Sequence, residues 1–331
     1  MDRRNFIKTT AAAGGALVAA AAMPARAIGM MGRQEAPQGD TAKGDPMLRG
    51  VCDIHLHASP DSRDRSVDEY SFMRDAMQAG YRAVMFKSND FSCHDRAYLI
   101  RQAIPGAECF GSLCMNRPHG DRVNVYAARK AVETSGRLCR CIWMPTLDAA
   151  YQCRSEHRAE PGIPVIDVTT GRVLPEVVGV MEVCAEAGII FATGHSSPDE
   201  CIKLIAKARE VGVERVVVTH ANSSIWTMTP DQIRRCIDLG AYIEYCFLPC
   251  LWGEGSAMPQ YKRQTAAEFT AFASIAPSRS FISTDLGQAS MPHPLEGMRQ
   301  CINMLLGQGM AQADIDLLVR RNPAWLIGLT D

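Results

Sequence analysis

Val51-Cys52-Asp53-Ile54-His55-Leu56-His57 is an apolar stretch that ends in two histidines separated by one residue. Side chains alternate between the two faces of a β-strand, so His55 and His57 would project to the same side of a strand formed here. Two imidazoles held side by side can bind one metal ion. A short motif of this kind also occurs by chance, and the pair could simply end a strand before a loop. The rest of the chain decides between these two interpretations.

Seven further apolar runs follow the first one, and helical patterns separate them. Strands that alternate with helices are typical of parallel βαβ units, and eight such units can close into a (β/α)8 TIM barrel. An open, doubly wound sheet is the alternative, but no Gly-rich dinucleotide-binding turn follows the first run. We therefore predict an α/β protein with a (β/α)8 barrel. The predicted strands are Val51–His57, Ala83–Lys87, Cys109–Asn116, Cys141–Thr146, Ile189–His195, Arg215–His220, Tyr242–Phe247 and Phe281–Asp285.

Helix start and stop signals lie between several of these runs. Ser66-Val67-Asp68-Glu69 has the pattern of a capping box, in which a Ser or Thr and a Glu or Gln three residues later cap the first helical turn. Ser197–Glu200 and Thr229–Gln232 repeat the pattern with proline at the first helical position. Gly80 predicts the end of a helix, because glycine is common at the position just after the last helical residue. These signals predict helices that begin next to each box.

Side chains with metal-binding chemistry stand at the ends of the predicted strands. In a (β/α)8 barrel the carboxyl ends of all strands meet at one face, where active sites lie. Four of the eight histidines and an aspartate would therefore converge there. Imidazole and carboxylate together suit Zn²⁺ or another borderline divalent metal. The predicted metal ligands are His55, His57, His195, His220 and Asp285.

The order of these ligands resembles that of the amidohydrolase superfamily, whose barrels carry His-x-His on strand 1, histidines on strands 5 and 6, and aspartate on strand 8. Here His55-Leu56-His57, His195, His220 and Asp285 occupy the matching strands. The ending Asn322-Pro323-Ala324-Trp325-Leu326-Ile327-Gly328-Leu329 is also similar to the Asn-Pro-Ala-x-x-Leu-Gly-Leu ending common in that superfamily. The resemblance covers essentially residues 50–331.

Two segments, Asp53–Asp61 and Trp143–Ala149, more specifically resemble an uncharacterised bacterial branch of this superfamily. The resemblance implies a metal-dependent hydrolase that acts on an amide, lactone or ester bond of a small molecule. It implies one or two divalent ions, with zinc expected, that activate a water and polarise the bond. Asp285 would be the catalytic residue that takes a proton from this water and delivers it to the leaving group. A metal-dependent decarboxylase of a small carboxylic acid, and a binding protein that has lost catalysis, stay open as alternatives.

Lys87 marks a departure from the superfamily pattern. Many members with two metals place a carboxylated lysine on strand 4, but strand 4 ends here in Met144-Pro145-Thr146. Lys87 ends strand 2 and has three interpretations: a carbamylated bridge between two metals, a cation that binds an anionic substrate group, or an ordinary lysine whose amine reaches solvent. The first requires a near-neutral amine, which burial beside metal ions would favour by lowering the pKa of the amine.

The loops after the strands are expected to select the substrate. Asp148–Pro175, after strand 4, is long and has hairpin character, and Leu248–Thr265, after strand 7, carries Trp252, Tyr261, Lys262 and Arg263. Aromatic and basic side chains over the barrel mouth would suit a small, partly apolar, anionic molecule, although ordinary loop packing also explains them. The candidate substrate-binding residues are Arg117, Trp226, Glu244 and His293.

The N-terminus has the pattern of a twin-arginine signal peptide. Arg3-Arg4-Asn5-Phe6-Ile7-Lys8 precedes a mild apolar run, and Ala25-Arg26-Ala27 matches a small-residue cleavage site. We predict a signal peptide over residues 1–27, a flexible leader over 28–49 and the amidohydrolase-like barrel over 50–331. The expected partner is the twin-arginine export machinery, and the expected location is the periplasm.

Composition narrows the classes of partner. The formal net charge is −1, and it becomes −4 when the predicted signal peptide, with four basic residues and one acidic residue, is removed. No basic patch or run of like charge stands out, so a nucleic acid is not an expected partner. The 13 cysteines are an odd number without compact spacing, which does not indicate a disulfide framework. A small-molecule substrate is expected, and a homo-oligomer is compatible with the sequence.

Overall fold

Eight parallel strands form the centre of the fold and follow one another in chain order, each hydrogen-bonded to the next. They are seen in a computed structural model that describes residues 44–225, 228–256 and 258–329. Nearly all of their residues are buried, as parallel strands covered by helices require. The strands are β1 (Cys52–Leu56), β2 (Ala83–Phe86), β3 (Cys109–Cys114), β4 (Cys139–Trp143), β5 (Ile190–Ala192), β6 (Val216–Val218), β7 (Tyr242–Cys246) and β8 (Ser280–Ser283).

The ring closes where the end of β8 meets the end of β1. The Asp285 N–H donates to the His55 carbonyl at 2.8 Å, and the His57 N–H donates to the Leu286 carbonyl at 2.7 Å. One layer below, the Thr284 hydroxyl donates to the buried carboxylate of Asp53 at 2.6 Å. The predicted (β/α)8 barrel is therefore confirmed, with all eight predicted strands present.

The helices lie between consecutive strands along the chain or follow the last strand, and they pack on the outside of the barrel. Short 3-10 helices cover Arg117–His119, Ser135–Arg137, Leu248–Leu251 and Pro277–Arg279, and a π-helical turn covers Leu317–Arg321. The α-helices are α1 (Glu69–Ala79), α2 (His94–Ala103), α3 (Val125–Glu133), α4 (Ala150–Ser155), α5 (Pro175–Ala187), α6 (Pro198–Val211), α7 (Pro230–Asp238), α8 (Ala266–Ala273), α9 (Pro294–Gly307), α10 (Gln312–Asp316) and α11 (Asn322–Leu326). None of the described helices is long and apolar enough to cross a membrane.

Two of the three predicted capping boxes are confirmed, at Ser197 before α6 and at Thr229 before α7. The predicted box at Ser66 is wrong: α1 begins two residues later, where the Asp68 side chain accepts from the Ser71 N–H at 2.7 Å. The Ser66 N–H instead donates to the Gly287 carbonyl at 2.9 Å, so it is not available to the Glu69 side chain as a capping box requires. Long-range pairing has overridden a local helix signal here.

The chain already packs on the barrel before β1 begins. Leu48, near the end of the predicted leader, is fully buried, and the Arg299 guanidinium donates to Asp45 at 2.8 Å. The predicted signal peptide and most of the predicted leader lie outside the described residues. All 13 cysteines are free thiols, and twelve of them are buried, in agreement with the absence of a disulfide pattern in the sequence.

Candidate metal centre

Three imidazoles converge on one carboxylate at the carboxyl end of the barrel. The Nε2 atoms of His55 and His57 each lie 3.1 Å from Oδ1 of Asp285, and Nε2 of His220 lies 3.3 Å from Oδ2. All four residues are buried. They come from the ends of β1, β6 and β8, so the structure brings together four of the five predicted ligands.

Glu244 fixes the orientation of the first of these imidazoles. The Nδ1–H of His55 donates to Oε1 of Glu244 at 2.8 Å, so Nε2 is the ring nitrogen that faces Asp285. Glu244 is itself fully buried and accepts from the Ser283 hydroxyl at 2.9 Å and from the His220 N–H at 3.2 Å. Burial would raise the pKa of Glu244, but His55 outweighs it and lowers that pKa to about 2. An ionised carboxylate behind a metal-binding histidine is a common supporting contact.

The donor atoms fit a divalent cation. Asp285 lies among these imidazole nitrogens, and its pKa is held well below 3.8 because the neighbouring imidazoles, His55 foremost, outweigh the effect of burial. His55, His57 and Asp285 offer ligand atoms that all lie within 4.8 Å of one another. Imidazole and carboxylate donors suit zinc and similar divalent ions.

His195, the fifth predicted ligand, lies beside His220 with the ring centroids 5.0 Å apart. Its Nδ1 is hydrogen-bonded to Oε1 of Gln152. Because an amide oxygen only accepts, Nδ1 carries the hydrogen and Nε2 is left as the acceptor atom. His195 also lines the cavity in front of the site, so it is placed where a second ion could be bound.

Gln152 belongs to α4, a helix in the segment Asp148–Pro175 that the sequence did not indicate. The predicted hairpin in the same segment is present, with Ile166 and Val173 forming an antiparallel bridge. The short helix α4 has no capping hydrogen bond and no clear periodicity over its six residues. The contact of Gln152 with His195 therefore could not be read from the sequence.

Two of the four described residues other than glycine that have a positive φ lie at this site. His220 has φ +51° and Asp285 has φ +53°, in the left-handed region that residues other than glycine rarely adopt. Such strain persists where the surroundings impose it, and it is common at functional sites. Gly287, with φ +120°, lies two residues after Asp285, and a Cβ atom there would lie 1.7 Å from the His57 carbonyl oxygen. Only glycine allows the loop after β8 to approach β1 so closely.

Lys87 lies inside the centre rather than at its edge. Its Nζ donates to His55 Nε2 at 3.1 Å and lies 4.9 Å from the centroid of the Trp143 ring. The residue is only 2% exposed. The interpretation of Lys87 as an ordinary lysine that reaches solvent is therefore wrong, whereas the carbamylated bridge and the substrate-binding cation both stay predictions.

The predicted substrate-binding residues are not brought to the cavity, among those the structure describes. Arg117 lies within 3.2 Å of Asp121 and 3.5 Å of Asp148 at the surface. His293 caps α9, because its Nδ1 accepts from the Leu295 N–H at 3.3 Å. Glu244 stands behind His55, away from the cavity. The fourth candidate, Trp226, lies outside the described residues.

The cavity over the centre has a volume of about 240 Å³. Of the residues predicted on the loop after β7, Trp252 and Tyr261 line it. Lys262 instead donates to Glu268 at 3.1 Å, and Arg263 donates to the Trp252 carbonyl at 2.5 Å. The remaining apolar wall residues are Leu147, Ile225, Leu248, Pro249 and Met258.

Arg65 also lines the cavity, although the sequence analysis did not single it out. It lies in the loop after β1, eight residues beyond His57, and nothing in the local pattern distinguishes it from Arg63. Its position follows from an antiparallel bridge with Gln288, in the loop after β8.

Replacing Glu244 by glutamine should weaken metal binding by about 10- to 100-fold, as the loss of an outer partner of a metal-binding histidine usually does. The amide keeps the shape of the side chain but removes the charge that holds the His55 Nδ1–H. The dissociation constant of Zn²⁺, measured by competition with a chelating dye, checks this prediction. The exposed Glu214→Gln variant is the matched control, and equal affinity in the two variants would contradict the supporting role of Glu244.

Solved structures with a similar fold include several named as hydrolases, although the sequences are distant. An organophosphate-hydrolysing enzyme engineered from a weak promiscuous lactonase has a TM-score of 0.57 at 14% identity, over 84% of this chain and 95% of that one. A variant of the organophosphorus hydrolase from Deinococcus radiodurans has a TM-score of 0.55 at 13% identity, over 84% and 92%. An amidohydrolase from Pseudomonas aeruginosa has 0.55 at 10% identity, over 85% and 96%. At these identities the similarity confirms the (β/α)8 barrel fold alone.

Sequence comparison places the chain more narrowly. No curated protein matches it significantly. A family model described as a family of unknown function, DUF6282, matches residues 50–244, which include four of the predicted ligands and Glu244 but end before Asp285. The match spans more than half of the chain, from β1 into β7, and the chain belongs to the DUF6282 family.

Proposed function

We propose that this chain is a metal-dependent hydrolase that cleaves an amide, lactone or ester bond of a small molecule. The observation that carries the proposal is the convergence of three imidazole Nε2 atoms on the buried Asp285 carboxylate. The names of the similar solved barrels, a lactonase-derived organophosphate hydrolase and an amidohydrolase, support a hydrolytic reaction. A fold alone does not define a reaction, so the proposal depends on the site.

The proposed cofactor is Zn²⁺, because the donors are imidazole nitrogens and a carboxylate. His55, His57 and Asp285 would hold one ion, and His195 and His220 would hold a second if Lys87 is carbamylated. When bound, such an ion acts as a Lewis acid. It also lowers the pKa of its bound water to about 7, so that hydroxide is present at neutral pH.

Asp285 would move the proton in this reaction. Its carboxylate is ionised at neutral pH, since its pKa lies well below 3.8, and it borders the cavity. It can accept a proton from the attacking water and deliver it to the leaving group. The apolar wall formed by Trp252, Tyr261 and their neighbours would exclude bulk water and bind the body of a small substrate.

The experiment is metal analysis of the purified mature protein together with a panel of lactones, aryl esters and amides. We expect at least one Zn²⁺ per chain and turnover that disappears with a chelator and returns with added Zn²⁺. A full metal complement without turnover on any compound would favour the binding protein over the hydrolase. Absence of metal from protein loaded with excess Zn²⁺ would overturn the proposal.

A decarboxylase is the second candidate, and Lys87 is the observation that favours it. A buried cation that borders the cavity and contacts His55 could hold the carboxylate of a small acid next to the metal. Release of CO₂ from small aromatic acids, measured beside the hydrolytic panel, distinguishes the two reactions.

We further propose that Lys87 determines whether the site holds one ion or two. A carbamate on Nζ would bridge two ions, so Lys87→Ala would lower the metal content from two ions per chain to one. An amine would repel a second ion, and the wild type and variant would then hold one ion each. The measurement is metal content after growth with excess Zn²⁺ and bicarbonate, with the exposed Lys203→Ala as the control. One ion in the wild type under these conditions would contradict the bridge.

We propose that the protein is exported to the periplasm by the twin-arginine machinery. The support is the sequence of residues 1–27. Replacing Arg3 and Arg4 by lysine should leave the precursor in the cytoplasm, because the pathway reads the arginine pair. Immunoblots of cell fractions measure this, and mature protein in the periplasm of the variant would show that another route is used.

A further inference from the structure

A buried arginine adjoins the metal centre without belonging to it. The Arg65 side chain is only 3% exposed, and Nη2 lies 3.1 Å from Oδ2 of Asp61 and 3.3 Å from Nδ1 of His57. The same residue lines the cavity that His57 and Asp285 border. A guanidinium is always charged, so a fixed positive charge stands next to the proposed reaction site.

This guanidinium has unused hydrogen-bond donors. Within the described part of the chain, every hydrogen bond of the Arg65 guanidinium is made by Nη2. The buried Nε makes none. A buried N–H without a partner is unfavourable, and such groups in native structures usually have a ligand or a functional role. Once His57 gives its Nε2 lone pair to an ion, its Nδ1 carries the hydrogen and can no longer accept from Arg65. The metal-loaded protein would therefore have a further free donor.

The surroundings hold Arg65 in place before any ligand arrives. The Asp61 side chain is fully buried and anchors one edge of the guanidinium. Arg65 forms an antiparallel bridge with Gln288, and Gln288 donates from Nε2 to the Asp285 carbonyl at 2.9 Å. The arginine is thus fixed relative to Asp285, and a ligand bound to it loses little of its binding free energy to ordering of the protein.

We propose that Arg65 binds an anionic group of the substrate, a carboxylate or a phosphate, next to the metal centre. The planar guanidinium matches the two oxygens of such a group. The charged residues that line the cavity are Arg63, Arg65 and Lys87 against the single acid Asp285. The aromatic wall of Trp252 and Tyr261 suits an apolar body attached to that anion. The substrate class is a small aryl or alkyl acid that carries the scissile bond.

That the bond of this acid is hydrolysed rests on the proposed function, but the anion site itself does not. The test is calorimetric titration of the Zn²⁺-treated and the chelator-treated protein with benzoate, with phenyl phosphate and with neutral benzamide. We expect Arg65→Met to weaken binding of the preferred anion about 10- to 100-fold, as for the loss of hydrogen bonds to a charged group. Arg65→Lys should fall between the wild type and Arg65→Met, and Arg117→Met, at the surface, should bind like the wild type.

Arg65→Met leaves Asp61 buried without its cation, so the double variant Asp61→Asn/Arg65→Met serves as a second test in which no carboxylate is left unpaired. If the affinity for benzoate falls more than that for phenyl phosphate, the natural group is a carboxylate. The reverse result indicates a phosphate. Unchanged affinity for both anions in the two variants, or no binding of either anion to the wild type, overturns the inference. Arg65-dependent binding in a protein that takes up no metal would overturn the proposed hydrolase and leave the anion site standing.

Discussion

Replacing His55 and His57 together by alanine should abolish metal binding. The two residues supply two of the three ligand atoms of the site that includes Asp285, and His55 also belongs to the group of possible ligands formed with His220, Glu244 and Cys246. The affinity for Zn²⁺ should fall by at least about 100-fold. The loss of only a hydrogen-bond partner of a metal ligand already costs up to that much, and here two ligands themselves are removed. Metal content after dialysis against a weak chelator, determined by mass spectrometry, checks this.

The control for this pair is the exposed His157→Ala, which should keep the wild-type metal content. Circular dichroism establishes that the double variant is folded, since the two truncations also remove buried rings that pack on each other with centroids 5.5 Å apart. A folded double variant with a full complement of metal would show that the ion lies elsewhere.

Asparagine at position 285 should lower kcat about 10²- to 10⁴-fold, the range expected for the loss of a general acid–base group. The amide has the shape of the carboxylate but can neither accept the proton of the attacking water nor balance the charge of a cation. The rate should be measured at saturating Zn²⁺, so that weaker metal binding is not mistaken for lost proton transfer.

Asp238→Asn, at the exposed end of α7, is the matched change for Asp285→Asn and should leave the rate unaltered. If Asp285→Asn keeps more than about one-tenth of the wild-type rate, the loss is smaller than removal of a general base should cause. Another group must then take the proton. His195 and Lys87, which line the same cavity, would then be the groups to replace next.

The barrel and the central ligands could be predicted because they depend on local patterns. A short apolar run with polar residues at its end defines a strand and its exit, and parallel strands place their exits at one face. His55, His57, His220 and Asp285 needed only this rule to be brought together. The same rule placed Glu244 on a strand, but strand alternation alone did not tell that it faces the back of His55.

The loops could not be predicted in the same way because long-range contacts position them. Arg65 and Gln288 are far apart in the sequence and meet through backbone pairing across the seam between β1 and β8. His293 looked available for a substrate, but its Nδ1 accepts from a backbone N–H at the start of α9. A residue type and its distance from a strand do not determine such partners.

The closing seam of the barrel is made by the same residues that form the candidate metal centre. The backbone of Asp285 bonds to the backbone of His55, while their side chains meet in front of it. A bound ion would therefore link the first and the last strand of the ring. A ligand that binds only the native state increases the free energy of unfolding. The stability of the closed barrel would therefore increase with the occupancy of the site by the ion.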